Sequence, residues 1–576
     1  MIILGICFGY HDSSVCIIKD GEIIFSSEEE RFTYLKHDSS FPLFSLQYGL
    51  KKYGINSNDI DHVIFGENPY QKFLSRIDTF IHHDFTSLTN FISLTKKWLG
   101  NNLWSVKKIS DHLNISLDKI SYIDHHEAHH ISALYQSNFK NSYSLVLDSI
   151  GQNESISLYL NNTLIKTVPF NNSLCYLYSL VTNWLGFSPN SSECTTMALS
   201  SFGKEMTYNP FEALVHFIDG EIVINKELLN LNSMNSKLHI KQIEKILGTP
   251  RTPQENLDLS CFRSSNPQSH YADIALAMQD VFEDTIISFL NYHCEDKEIT
   301  NLCISGGGAH NCKLIRKINE NTHFANIFIP QAPGDAGLAL GAALSKCGRI
   351  KLNTPLNFNL GSHVDLEEIK DLILNLSEND LKNYTSDHNK FSNLEILKLD
   401  QVEHSRFIAN KIDEGKIIAI AQGQAEFGPR ALGARSIICR SDSTEIATKI
   451  SKTIKKRASY RPYALSTTLD KAKEIFDCEH IDTTFYGMQT DVKIHDNFKN
   501  EVIGAIHIDQ TTRPQIATPD TFFHDIISNT KNKIVLNTSL NESGYPLCKS
   551  AKEAFLLFLK TPIDMIILEN LLVIKK

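Results

Sequence analysis

Four histidines fall within six positions of the segment Asp124-His125-His126-Glu127-Ala128-His129-His130, and a helical run, Ile131 to Tyr135, follows. Residues four apart on a helix share a face. His125 with His129, or His126 with His130, therefore presents two imidazoles to one point, as a divalent metal requires of a single helix. The spacing alone does not choose between the pairs. Taken literally, His126 to His130 also matches the His-Glu-x-x-His pattern of zinc proteases, with Glu127 as the base. This segment, however, opens a helix instead of lying inside one. A third ligand must come from elsewhere, and Asp335 offers itself in the loop Pro330-Gln331-Ala332-Pro333-Gly334-Asp335-Ala336-Gly337, just before a helix of small residues. An aspartate there also serves as a helix cap. Two histidines and one carboxylate suit Fe(II), Mn(II) or Zn(II), with positions left for substrate oxygens.

A second chemistry is anion binding. Leu302 to Asn311 runs from a strand through Gly306, Gly307 and Gly308 into a helix start. Unpaired backbone N–H groups and the helix dipole favour phosphates at such a turn. Further along, Gly423 to Ser436 is a loop with small residues and two arginines, Arg430 and Arg435. Lys455-Lys456-Arg457, Arg461-Pro462, His507-Ile508-Asp509 and Arg513-Pro514 follow. Guanidinium forks bind phosphate and carboxylate oxygens in pairs, so Arg430, Lys455, Arg461 and Arg513 suit an anion pocket. The polar stretch Asn537 to Gly544, at the end of an apolar strand, is suited to orienting a phosphate or a small amide, or to capping a turn.

The elements that must position these residues show a repeated grammar. Ile2 to Phe8 reads as a strand, Gly9 to Ser14 as a loop, Val15 to Ile18 as a strand, Lys19-Asp20-Gly21-Glu22 as a tight turn, and Ile23 to Ser26 as a third strand. Tyr143 to Leu147, the loop Asp148 to Asn153, Ser155 to Leu160, the turn Asn161-Asn162 and Leu164 to Val168 repeat it. Matching hairpins predict an α/β fold with a duplicated, actin-like nucleotide-binding domain, each loop facing phosphates across a cleft. Aromatic-rich helical stretches at 71–120 read as an insertion into that domain. The polar segment 351–395 reads as a linker, and from Ile396 onward strands mix with helices.

Composition sets the bounds. The chain has 576 residues, of which 42% are hydrophobic and 21% charged. With 56 basic and 66 acidic residues the formal net charge is -10, which disfavours nucleic acid or anionic membranes as partners. The apolar N-terminus lacks a basic region and a cleavage site, so it reads as a buried strand, not a signal peptide. No apolar run is long enough for a membrane span. The 12 cysteines are scattered without a Cys-x-x-Cys pair, consistent with reduced thiols in a cytoplasmic protein.

As a set, these motifs resemble the NodU/CmcH O-carbamoyltransferases. The matching segments are HDSSVCIIKDGEIIFSSEEERFTYLKHDSSFP, DHHEAHHISALYQSNF, MALSSFG, ISGGGAHNC, PQAPGDAGLALGAAL, EFGPRALGARSI, KKRASYRPYALS, HIDQTTRPQ and NTSLNESGYP, in the family's order and across nearly the whole chain. The resemblance implies residues 1–350 as an actin-like domain similar to tRNA threonylcarbamoyl transferases, and residues 396–576 as a domain similar to YrdC. It implies that ATP, with Mg2+, and carbamoyl phosphate form carbamoyl adenylate in the C-terminal domain. The carbamoyl group then passes in the N-terminal domain to the hydroxyl of a small-molecule acceptor. By motif, His125, His129 and Asp335 match the metal ligands, with Fe(2+) or another divalent transition metal. His11, Lys36 and Asp148 match catalytic positions. Gly306, Gly307 and Asn311 match the nucleotide loop. Arg430, Lys455, Arg461, His507 and Arg513 match the anion site. The resemblance also allows a homodimer. Ser149, Gln152, Thr195, His310 and Gln510 depart from the family pattern, which bears on the nucleotide contacts more than on the metal site. A tRNA threonylcarbamoyl transferase is disfavoured by the acidic charge, and a hydrogenase-maturation enzyme by the missing Cys-x-x-Cys pairs and acylphosphatase-like segment. A non-catalytic nucleotide-binding scaffold is disfavoured by the retained ligand and arginine sets.

Overall fold

In the computed structural model the chain divides into two compact units, Met1–Glu22 with Gly54–Lys351 and Ile23–Tyr53 with Leu352–Lys576. The structure describes all residues except 84–87, 234, 254–256, 258–267, 351–357, 366, 369–393, 399–400 and 459. The expected linker at 351–395 lies mostly outside the described residues; within it Asn359–His363 is a strand.

The first unit carries the repeated grammar as two sheets of one topology. Ile2–Cys7 is a nearly continuous apolar strand, buried along its length, as befits a central strand covered on both faces. Ser14–Lys19 pairs with it antiparallel, while His62–Phe65 and then Ile120–Tyr122 follow parallel on its other side. Asp20 and Gly21 take positive φ (52° and 88°), the geometry of a two-residue hairpin turn. In the second sheet Thr163–Pro169, Glu154–Leu160 and Tyr143–Leu147 run antiparallel, followed in parallel by Asn301–Ser305 and Asn326–Phe328. A central strand with antiparallel hairpin pairing on one side and two parallel strands on the other, occurring in both sheets, is the expected duplicated actin-like plan. The segment 71–120 contains the helices Pro69–His83, Leu88–Gly100 and Ser105–Leu113.

Each sheet hands its last strand to a helix. His125–Leu134 follows the first sheet and Leu338–Cys347 the second. They cross at close range: a Cβ on Gly341 would lie 1.9 Å from the Ala128 carbonyl oxygen, and one on Gly5 would lie 1.7 Å from that of Ala339. The helix that ends the second half thus packs on the first strand of the first half. This brings the loops at the carboxyl ends of both sheets together.

In the second unit Asn359–His363 pairs with Gln424–Glu426 in a separate two-stranded sheet, and ten of the described strands form one sheet. At its centre Ile418–Ala421 and Arg435–Cys439 are buried throughout. Apolar clusters cover both faces, one built on Ile437, Leu465, Leu536 and Phe555, the other on Ile412, Ile438, Ile526 and Val535. Residues 23–53, which fall inside the expected 1–350 domain, group with this unit instead. Side chains explain the grouping. Glu28 accepts a hydrogen bond from the Gly428 N–H (2.9 Å), and Arg31 donates to the Gly428 carbonyl (2.6 Å) while pairing with Glu28 at 3.1 Å. Gly428 has φ 106°, a conformation that favours glycine, so this buried ion pair holds a turn that only the second unit contains.

Candidate metal centre and anion site

The metal-type cluster lies where the two halves of the first unit meet. Tyr122 ends the last strand of the first sheet, and after two intervening residues the helix His125–Leu134 begins. Its first turn is fixed by the Gln152 side chain, which accepts from the His125 N–H at 3.1 Å. The i, i+4 pair His125 and His129 then faces Asp335, delivered by the turn before the helix Leu338–Cys347. His125 Nε2 lies 3.7 Å and His129 Nε2 3.6 Å from Asp335 Oδ1. Asp148, at the start of the second hairpin loop, closes the group, with its Oδ2 3.4 Å from His125 Nε2. Ligand atoms of His125, His129, Asp148 and Asp335 all lie within 4.8 Å of one another, and all four residues are buried.

The other face of the same helix packs against the second sheet. His126 Nδ1 meets the Ser157 hydroxyl at 2.7 Å, and the His130 ring stacks on Tyr159 with centroids 4.0 Å apart. Both partners stand on the strand Glu154–Leu160, so His126 and His130 are committed to the core. His126, Glu127 and His130 therefore do not form the zinc-protease constellation that the letters permit.

The donor set fits a divalent transition ion. Both ring nitrogens of His125 and of His129 are buried without a hydrogen bond among the described residues, an arrangement that is costly unless something coordinates them. Electrostatics point the same way. Against the pull of burial, Asp335, Asp148 and Glu67 raise His125 to about 10. The Asp335 carboxylate raises His11 to about 9. Although burial opposes it, His125 holds the Asp148 carboxyl well below the usual carboxylate range. Three carboxylates in a dry pocket create a field that binds cations, whether protons or a metal ion.

Around this group the loops are tied to one another. His11 Nδ1 meets Asp12 at 2.9 Å, and its Nε2 faces Asp335 at 3.5 Å. The Ser14 hydroxyl donates to the Ala336 carbonyl (2.7 Å), and the Gly306 N–H donates to the Pro333 carbonyl (2.7 Å). The Gly307 N–H reaches Asp148 Oδ1 at 3.3 Å, so the glycine loop borders the cluster directly. At Gly306 (φ 86°) a Cβ would lie 2.4 Å from the Leu147 carbonyl oxygen, which requires glycine. Asn311 is occupied as a helix cap, accepting from the Leu314 N–H and exchanging two hydrogen bonds with Gln279. Lys36 belongs to the second unit and is exposed there.

Sequence reasoning missed Glu67 and Lys72. They are buried against each other as an ion pair, and Glu67 Oε1 lies 3.5 Å from His125 Nδ1. A carboxylate behind a ligating imidazole fixes which nitrogen faces the metal. The only signal was position: Glu67 follows an apolar strand, at the carboxyl end where ligands collect in parallel sheets.

In the second unit, sheet register gathers the basic residues at one end. Ser539 is opposite Ser436, Asn537 is opposite Ala464, and Ala464 is opposite Arg513. The start of the strand Arg435–Cys439, the end of Ile534–Ser539 and the starts of Ala464–Thr467 and Thr511–Ile516 therefore coincide. Arg430, Arg461 and His507 lie on the loops entering these strands, and Lys455 reaches the same end. Its buried ammonium meets the Ser539 hydroxyl (3.0 Å), the Ser539 and Asn541 carbonyls and the Asn541 side-chain oxygen (2.6 Å). Burial, then the nearby Arg457 and Arg461, push Lys455 well below the ordinary lysine value. His507 Nε2 contacts the Tyr460 carbonyl at 3.1 Å. The loop bearing Arg430 is rigid by construction: Glu426 Oε1 accepts from the N–H groups of Leu432, Ala434 and Arg435, and Asn537 donates to the Ala431 carbonyl. Arg435 is fully buried, and its guanidinium donates to the carbonyls of Cys548, Gln422, Ala434, Ser362 and Gly423. All its donors are used inside the fold, so Arg435 is structural.

Two family models match the chain, "Carbamoyltransferase N-terminus" over residues 2–344 and "Carbamoyltransferase C-terminus" over residues 409–575. The chain belongs to the carbamoyltransferase family. It is 28% identical to the nodulation protein NolNO of Sinorhizobium fredii, across 98% of this chain and 79% of that protein. It is 27% identical to the 3'-hydroxymethylcephem-O-carbamoyltransferase of Streptomyces clavuligerus, across 43% of each. Among solved structures it is similar to full-length HypF in its phosphate- and nucleotide-bound form, with 14% identity, a TM-score of 0.33, and coverage of 62% of this chain and 47% of that one.

Proposed function

We propose that this carbamoyltransferase is an ATP-dependent O-carbamoyltransferase that works in two steps, one in each unit. In the second unit, which we read as YrdC-like, carbamoyl phosphate loses phosphate to water, and the carbamate attacks the α-phosphorus of ATP. Carbamoyl adenylate forms and pyrophosphate leaves. In the first unit a hydroxyl of a small-molecule acceptor attacks the carbamoyl carbon and AMP leaves. The observation that carries this reading is the buried convergence of His125, His129, Asp148 and Asp335 in a chain that matches both halves of the family.

Each step draws on residues suited to it. Carbamoyl phosphate is a dianion, and Arg430, Lys455, Arg461 and Arg513 supply cations at one sheet end, with His507 beside them. Lys455 is desolvated in the free protein, so an arriving anion stabilises its charge. In the first unit His125, His129 and Asp335 are the proposed ligands of a divalent ion, for which iron(II) suits two imidazoles and a carboxylate. Bound there, the ion supplies a Lewis-acid charge against the carbamoyl oxygen. Asp12 orients His11 through Nδ1; with a cation held by Asp335 the field that keeps a proton on the ring is relieved, so that Nε2 could take the acceptor's proton. Gly306 and Gly307, whose N–H groups are held by Pro333 and Asp148, shape the glycine loop that we place beside the adenylate. Free thiols at every described cysteine support a cytoplasmic location. Among the described residues no helix is long and apolar enough to cross a membrane.

The test separates the steps. Arg430→Ala is expected to lose ATP- and carbamoyl-phosphate-dependent pyrophosphate release by roughly 30- to 1000-fold, the worth of a charge-assisted contact of about 2–4 kcal/mol. Asp335→Ala is expected to keep pyrophosphate release, lose bound metal by elemental analysis, and fail to label an acceptor by mass spectrometry. If Asp335→Ala lost pyrophosphate release while Arg430→Ala kept it, the assignment of steps to units would be reversed.

A further inference from the structure

The helix Pro69–His83 carries two cations one turn apart, Lys72 and Arg76, and they differ in company. Lys72 is neutralised by Glu67, and its ammonium also lies 3.8 Å from the centre of the Tyr10 ring. Arg76 is half-buried, yet among the described residues no hydrogen bond or ion pair reaches its guanidinium. Its guanidinium carbon lies 6.0 Å from the centroid of the Phe170 ring, just beyond the second hairpin. Burial pulls the guanidinium below its ordinary value, while nearby Tyr10 and Glu67 oppose this. In a chain of net charge -10, a half-buried arginine that no carboxylate among the described residues reaches is suited to an anionic ligand.

Its surroundings resemble a binding wall. Tyr10 is 38% exposed, and its ring lies 6.4 Å from that of Trp98, which in turn lies 5.7 Å from Phe73. Tyr10 immediately precedes His11, the residue that faces Asp335, and Lys72 and Glu67 connect the same helix to His125. The wall therefore borders the metal cluster on the side formed by the helical insertion. Aromatic rings beside an unpaired guanidinium suit a ring-bearing ligand with an anionic group.

We propose that Arg76, with Tyr10 and Phe170, forms the acceptor subsite, and that the hydroxyl acceptor carries a carboxylate or phosphate that pairs with Arg76. This rests on the carbamoyltransferase reading above and narrows its acceptor to an anionic class. The guanidinium gains its counter-ion from the substrate and so selects against neutral and cationic alcohols.

Binding of galactose, galacturonate and galactose 6-phosphate to the whole chain, read by tryptophan fluorescence, tests the proposal and separates the two anion types. At least one anionic sugar is expected to bind about tenfold or more tightly than galactose, as one charge-assisted pair allows. Arg76→Gln is expected to erase that preference and Arg76→Lys to retain part of it, each variant being checked for an unchanged melting temperature. Equal affinity of all three sugars for the unsubstituted chain, including binding by none, overturns the proposal, as does a preference that survives Arg76→Gln. Pyrophosphate release needs no acceptor, so it reports on the adenylation reading separately. Its presence without anion preference removes this inference alone; its absence removes the adenylation reading while the sugar titration still decides the subsite.

Discussion

Glu283 shows how a single buried carboxyl couples the glycine loop to pH. Burial raises it from the ordinary 4.5 to about 7, and Gln279 donates to it at 2.6 Å. Gln279 also accepts from the Tyr178 hydroxyl and joins Asn311, the cap of the helix that follows the glycine loop. The folded state therefore keeps a proton on Glu283 between pH 4.5 and about 7, where the unfolded chain has released it. That contribution to stability is complete below the unfolded value and is lost as pH rises through the folded one. The loss reaches about 3 kcal/mol for a shift of this size. Glu283→Gln keeps the shape and removes the titration. It is expected to melt like the unsubstituted protein at pH 4.5 and at a higher temperature at pH 8. An equal melting difference at both values would mean that Glu283 does not carry this term.

At the scale of elements, the site depends on two helices crossing without side chains between them. His125–Leu134 supplies both imidazoles, and Leu338–Cys347 begins directly after the turn that holds Asp335. With only 1.9 Å available between a Cβ on Gly341 and the Ala128 carbonyl oxygen, even alanine must push the helices apart. Gly341→Ala is expected to cost about 1–3 kcal/mol of stability, the usual penalty of overpacking. Because the imidazoles and Asp335 ride on opposite sides of this contact, cobalt(II) should also bind more weakly, which a visible-absorption titration measures. Unchanged cobalt affinity in a destabilised variant would show that the crossing supports the fold but not the cluster.

At the scale of the whole molecule, charge bears on the class of acceptor. A net charge of -10 gives no general attraction for polyanions, and Arg430, Lys455, Arg461 and Arg513 gather at one sheet end of the second unit. Mixed tRNA is therefore expected to elute separately from the protein at about 0.15 M salt, where exposed charges are screened. Retention of tRNA under those conditions would favour a relative that modifies nucleic acid.

The sequence by itself determined the local grammar. Alternating and continuous apolar runs specified the hairpins, Asp20-Gly21 the positive-φ turn between their strands, and the four-residue spacing the two histidine faces of one helix. These features depend on contacts within a few residues, which local periodicity encodes. Only tertiary structure decided which face meets the carboxylates, because that depends on Ser157 and Tyr159 from the opposite half taking His126 and His130. It alone showed Glu67 behind His125, and Arg435 spent on five carbonyls while Arg430 lies on a loop beside it. It also placed residues 23–53 in the second unit, through a Glu28–Arg31 pair that grips a turn about 400 positions later. Partners so distant in sequence leave no periodic trace, and their pairing is fixed by packing.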